Sequence, residues 1–190
     1  MDERVEDLPL KGLLDKIAAR TTAPGGGSVA GVAAALAGAL AGMCARFSDG
    51  DQAELAQRAD ALRARAVSLA HSDSVVYAAF LRTRQSGRDS ELGAAFDDVV
   101  RIPLEVAEVA AELAQLAGGL VRSGNPNLRG DATVAVLLAS AAARAGAALV
   151  AENLAGAASD ARLTRAAALV ASVQTAEQEV LASYPVLGCL

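Results

Sequence analysis

Between Val29 and Ala45 the chain runs for 17 residues without one charge, VAGVAAALAGALAGMCA, directly behind the stretch TTAPGGGS. Such a segment has three physical outlets: a bilayer, the helix behind a phosphate loop, or the interior of a helical bundle. A spanning helix needs about 20 mostly apolar residues. This run is shorter, and Ala and Gly, which are weakly lipophilic, dominate it. Its Gly38 and Gly42 make a G-x-x-x-G spacing, which favours close helix approach. A signal peptide would place its apolar region nearer the start and would lack the acidic opening MDERVED. The phosphate-loop reading fails on chemistry. Ser28 stands where a Walker loop needs Lys, and LPLKGLLDKIAAR in front has helical rather than strand spacing. The remaining outlet, a helix apolar all round and buried on all sides, is the expectation.

The rest of the chain agrees. Hydrophobic residues make up 53% and aromatics only 3%, so Ala, Leu and Val must build the core. No strand-like alternation is present, and prolines number five. The expected fold is all-α, a bundle of about six long helices in a single domain spanning 1–190, starting with LPLKGLLDKIAAR. Helices are expected from Val29 with Ser28 as cap, from about Asp51 to Arg84, and from a Ser90 cap towards Ala117 with a break or bend at Pro103. A further helix follows an Asp131 cap, and a last one starts at Ser159 or Asp160 and ends before Pro185. GGLVRSGNPNLRGD reads as a connection. Two helices apolar on nearly every face exceed what one small bundle can cover, so a homodimer is expected. A net charge of −5 and an isoelectric point near 4.9 argue against nucleic acid. Cys44 and Cys189 make neither a disulfide framework nor a metal spacing, which fits a reducing cytoplasm.

Three groups of residues carry possible chemistry. Gly25, Gly26, Gly27 and Ser28 bring bare backbone N–H groups to a helix start, where an anion or a carbonyl oxygen can sit; a plain interhelical turn is the alternative. Asn125, Asn127, Arg129 and Asp131 in GNPNLRGD precede the second apolar helix. If the two helix starts lie close together, these amides and charges meet the glycine loop and suit a heterocycle edge such as a pterin. Turn formation accounts equally well for the asparagines. Asn153 lies inside an apolar helix and needs a partner, a neighbouring backbone group being the simplest. Asp73 and Tyr77 are four residues apart and share a helix face. A carboxyl on an apolar helix can have a raised pKa and serve as acid or base. The single histidine, His71, lies two positions from Asp73 and points elsewhere.

In order along the chain, PGGGS opening an Ala/Gly-rich helix, D-x-x-x-Y on the next helix, IPLEVAE, and GNPNLRGD before ATVAVLLASAAARAGAALVAENL resemble the cyclodeaminase/cyclohydrolase family. That family comprises the C-terminal domain of formiminotransferase-cyclodeaminase and stand-alone bacterial relatives. The resemblance implies an all-α dimer acting on a tetrahydrofolate derivative, without metal or redox cofactor. The reaction would be cyclisation of 5-formimino- to 5,10-methenyl-tetrahydrofolate with loss of ammonia, or interconversion of methenyl- and 10-formyl-tetrahydrofolate. It implies substrate-binding roles for Gly25, Gly26, Gly27, Ser28, Tyr77, Asn125, Asn127, Arg129 and Asn153. The acid or base would be Asp73 or Asp131, which the spacing does not rank. Three positions differ from the family pattern: Gly130 stands for its Ser, Pro126 for its frequent Lys, and Leu149–Val150 for an Asn-Val pair. A re-purposed or non-catalytic helical dimer binding another small ligand is the alternative these differences favour.

Overall fold

A computed structural model describes residues 4–48, 52–87 and 89–184. Among them are six α-helices: α1 (Leu10–Ala18), α2 (Gly26–Arg46), α3 (Ala53–Ser86), α4 (Asp89–Ser123), α5 (Arg129–Asn153) and α6 (Ala161–Ala182). Short 3-10 turns at Val5–Asp7 and Pro126–Leu128 complete the described elements. The all-α expectation holds.

Several boundaries differ from the sequence reading, each for a local reason. α2 starts at Gly26 with Gly25 as its cap, so Ser28 lies inside the first turn rather than capping it. α4 runs through Pro103 without interruption and continues six residues past Ala117, because Leu120 has core to bury. Asp131 likewise falls inside the first turn of α5, which begins at Arg129. There its charge complements the helix dipole without a capping bond. Asp160 does cap α6, its carboxylate accepting the Arg162 N–H. The expected Asp51 start, the Ser90 side chain, Pro185 and Cys189 lie outside the described residues.

α2, α4 and α5 form the middle of the bundle, with α3 and α6 flanking. Neighbours in the chain run antiparallel. Ser28 meets Asp73 while Arg46 meets Asp60 across α2 and α3. Cys44 Sγ approaches the Leu128 carbonyl while Gly26 faces Leu149 across α2 and α5. Small residues make this close packing possible. A β-carbon on Gly31 would stand 2.8 Å from Ala70 Cβ, and one on Gly146 would stand 2.6 Å from the Pro103 carbonyl oxygen. The core between them is Ala34, Ala37, Ala66, Val106, Ala110, Leu113, Ala139, Ala143 and Val173.

The parallel pair α4 and α6 is stitched at its surface by Glu108–Arg165, Gln115–Ser172 and Arg122–Glu179, each pair 57 residues apart. Exposed ion pairs of this kind contribute about 1 kcal/mol or less. The fold therefore rests on the apolar helices. Two segments, Gly26–Arg46 and Pro126–Asn153, are long and apolar enough to cross a membrane. About half of each one's most apolar window (56% and 50%) is buried against the other helices.

Candidate functional site

The start of α2 abuts the middle of α3, and Asp73 makes the junction. Its Oδ2 accepts the Ser28 N–H at 2.9 Å and the Ser28 hydroxyl at 3.1 Å. The hydroxyls of Ser28 and Ser74 lie 2.8 Å apart. A helix start leaves its first N–H groups without intrahelical acceptors. Here a carboxylate from another helix takes the third of them, the one role the sequence reading assigned to Ser28 alone. Gly27 makes the contact sterically possible: a β-carbon there would lie 2.0 Å from Asp73 Oδ1 and 2.4 Å from Cγ.

Around this junction is a cavity of about 350 Å³. One wall is Gly25, Gly26 and Gly27; the α3 wall carries Asp73, Val76 and Tyr77. α4 contributes Val99, Ile102 and Pro103, and the end of α5 contributes Leu149, Glu152 and Asn153. Asp73 Oδ1 makes no hydrogen bond among the described residues. Burial pushes the Asp73 carboxyl above the ordinary aspartate range, and the two Ser28 hydrogen bonds only partly counter this. A carboxyl so placed is held at one oxygen and open at the other, with an affinity for protons suited to acid–base transfer. Asn153 donates from Nδ2 to the Val99 carbonyl at 3.1 Å, which leaves its own carbonyl for the cavity. The amide thus does bridge to neighbouring backbone.

The second loop is elsewhere. The expectation that the two helix starts meet is corrected: α5 runs antiparallel to α2, so within one chain its start lies at the opposite end of the bundle. Asp131 and Asn153 are separated by about 33 Å at 1.5 Å per residue along α5. Asn125 donates from Nδ2 to the Phe47 carbonyl at 2.7 Å, closing the end of α2, and accepts the Asn127 N–H at 2.9 Å. Arg129 donates to the Ser183 carbonyl at 3.2 Å, with its guanidinium 5.0 Å from the centre of the Tyr184 ring. These contacts tie α2, α5 and α6 together. Within one chain, Asn125, Asn127, Arg129 and Asp131 do not reach the Asp73 cavity.

Glu152 was missed in the sequence reading, as were the apolar residues Val99, Ile102 and Pro103. Only the adjacency of Glu152 to Asn153 pointed to it. A more spacious groove, about 770 Å³ between α3, α4 and α6, is a different kind of surface. Its three arginines are all paired, Arg58 with Glu112, Arg65 with Glu105 and Arg165 with Glu108. That leaves no uncompensated group to act on a ligand. Among the described residues no cluster of three His, Cys, Asp or Glu is placed to hold a metal.

A family model described as formiminotransferase-cyclodeaminase matches residues 9–172. Mouse formimidoyltransferase-cyclodeaminase is 29% identical over 152 residues, and the rat protein is 28% identical over the same length. Each alignment covers 70% of this chain, which spans 28% of the length of these curated relatives. The fold matches the crystal structure of formiminotetrahydrofolate cyclodeaminase from Thermotoga maritima with a TM-score of 0.86 and 27% identity. That match covers 93% of this chain and 96% of the other. The family match extends over most of the chain, including the α2 start, the Asp73–Tyr77 helix face and Asn153; the chain belongs to the formiminotransferase-cyclodeaminase family.

Proposed function

We propose that the chain is a folate one-carbon enzyme whose reaction takes place beside Asp73. The carrying observation is the Asp73 carboxyl: one oxygen clamped by Ser28, the other facing a cavity with apolar walls. The activities in the relatives' names support the choice of substrate. The proposed reaction is cyclisation of 5-formimino-tetrahydrofolate. N10 attacks the formimino carbon carried on N5, a tetrahedral centre forms, and the C–N bond to the amino group breaks. The formimino group enters protonated, as an amidinium. Asp73 Oδ1 accepts the N10 proton and passes it to the resulting amino nitrogen, which leaves as ammonia while the positive charge stays on the methenyl product. The same carboxylate faces the cationic one-carbon unit and stabilises it. The first-turn N–H groups of Gly26 and Gly27 are donors for the ligand's oxygen or nitrogen acceptors. Tyr77, half exposed at the cavity mouth, offers an aromatic face to the ring system. No step in this scheme calls on a cofactor.

Hydrolysis of 5,10-methenyl- to 10-formyl-tetrahydrofolate uses the same carboxylate to take a proton from water, and is the second reaction proposed for the site. A diverged ligand is a third reading, favoured by Leu149, which puts an apolar side chain into the cavity wall where the family pattern has Asn. Ultraviolet spectroscopy separates the three. Growth of methenyl absorbance from 5-formimino-tetrahydrofolate, with ammonia released, marks the first. Decay of methenyl absorbance faster than the uncatalysed rate marks the second. The absence of both changes refutes the folate reading.

A homodimer belongs to the same proposal. The outer face of α2 presents Val29, Ala33, Leu36, Leu40, Met43 and Phe47 at helical spacing, with Leu36 55% and Phe47 65% exposed. Beside it α5 adds Val134, 46% exposed, and Ala141, Ala145 and Ala148. This continuous charge-free surface suits a second copy of itself across a two-fold axis.

A further inference from the structure

Glu152 stands in the wall of the Asp73 cavity, and the proposed reaction gives it no task. It is the next-to-last residue of α5, where the helix dipole favours a cation over an anion. No basic residue in that last turn offsets it. Among the described residues its carboxylate has no hydrogen-bond or ion-pair partner, and no Lys, Arg or His lines the cavity. By contrast, Glu105, Glu108 and Glu112 on α4 are all paired with arginines. A charge set at an unfavourable helix end, uncompensated within the chain and bordering a cavity, has its explanation in a ligand that compensates it. The position of Glu152 defines that ligand. α3 and α5 each pack on α2 and α4, so the cavity reaches from Asp73 on one to Glu152 on the other across the start of α2. A flat ring lying between these walls presents one edge to Asp73 and another to Glu152. The α5 wall offers acceptors only: the Glu152 carboxylate, and the Asn153 carbonyl, whose amide nitrogen is taken up by Val99. Its match is a ring edge made of N–H donors. Leu149, three residues before Glu152 on the same face, is apolar where the family pattern has Asn, so Glu152 supplies the polar group of this wall.

We propose that Glu152 selects the ring: its carboxylate accepts the N3–H and 2-amino donors of the pterin while the one-carbon unit lies at Asp73. This rests on the folate reading of the cavity. The two donors lie side by side on the edge of the pteridine remote from N5, and a carboxylate accepts such a parallel pair as it does from a guanidinium. Glu152 moves no proton in this arrangement. It determines specificity, because a ring without the paired donors leaves a carboxylate unmatched in the bound state.

The test is calorimetric binding of 5-formyltetrahydrofolate and of its 2-deamino analogue, which lacks one of the two donors. Both are offered to the wild type, to Glu152→Gln and Glu152→Ala, and to Glu54→Gln, each checked for helicity by circular dichroism. Glu54 lies in the first turn of α3, at the Arg46 end of the bundle, so its loss removes an acidic charge far from the cavity. The wild type should bind the amino form about tenfold or more tightly than the deamino form. Both Glu152 variants should bind the two forms alike, at about the affinity of the wild type for the deamino form, and Glu54→Gln should keep the full preference. A preference that survives in both Glu152 variants, a preference lost in Glu54→Gln as well, or a wild type that binds both forms equally overturns the role of Glu152 and leaves the folate reading standing. A wild type that binds neither form overturns both.

Discussion

Replacing Gly27 by Ala tests the junction at its tightest point. The new β-carbon would stand 2.0, 2.4 and 2.8 Å from Asp73 Oδ1, Cγ and Oδ2. Ordinary contact starts near 3.4 Å, so the carboxyl has to retreat by more than 1 Å. Asp73 can swing, so the bundle survives, but the swing breaks both Ser28 hydrogen bonds. Bonds to a charged acceptor contribute about 1.5–3 kcal/mol each, and Ala gains up to about 1 kcal/mol over Gly in a helix. The half-buried setting favours the low end, a net loss of roughly 2 kcal/mol. Catalysis suffers more, because a misplacement of about 1 Å at a reacting group costs on the order of 100-fold. Gly26→Ala is the control: its β-carbon meets only Leu149 Cδ2 at 3.9 Å, so melting temperature should stay within a few degrees. Thermal melting and turnover of 5-formimino-tetrahydrofolate on the same samples decide the matter. Gly27→Ala with activity within threefold of wild type would refute the reasoning about the Asp73 clamp.

Other substitutions probe separate parts of the account. Asp73→Asn should lower turnover by 10²–10⁴-fold while preserving the fold, since the amide oxygen still accepts from Ser28. Because the folded carboxyl has a raised pKa, its contribution to stability is full below the unfolded pKa and is lost as pH rises through the folded pKa. Wild type should therefore lose stability relative to Asp73→Asn as pH rises above the usual aspartate range; a gap that is constant with pH, read from urea midpoints, contradicts this. Asp131→Asn, at the other end of α5, should leave turnover within threefold. Gly146→Ala would press on the Pro103 carbonyl oxygen and should cost about 1–3 kcal/mol of stability, seen as a lowered denaturation midpoint. Leu36→Arg should convert a dimer to the 19.1 kDa monomer in light scattering, whereas a wild type already at that mass removes the dimer proposal.

Much of this was legible in the chain because it depended on local spacing. The charge-free run from Val29 to Ala45 could only be a buried helix once bilayer and phosphate loop were set aside, and α2 is that helix. Asp73 and Tyr77 share a face through the four-residue step alone, and Asn153 announced itself as a polar group in an apolar helix. What failed depended on which helix ends meet. The glycine loop and GNPNLRGD look alike, each a flexible loop ahead of an apolar helix. Antiparallel packing of α2 on α5 nevertheless sends them to opposite ends. The Ser28 assignment failed for a related reason: its true partner, Asp73, is 45 residues away, and no local pattern reports a carboxylate arriving from another helix. The GGLVRS stretch was read as loop from its glycines, but Leu120 is buried in the core and the helix continues to Ser123.

The central claim places one-carbon chemistry between the start of α2, the Asp73 face of α3 and the end of α5. A crystal structure with 5-formyltetrahydrofolate bound measures this most directly. The account predicts the ring system between Gly26, Tyr77 and Asn153, with the N5 formyl group within hydrogen-bonding distance of Asp73. Density in the groove between α3, α4 and α6, or at the Arg129 end with no contact to Asp73, would contradict it.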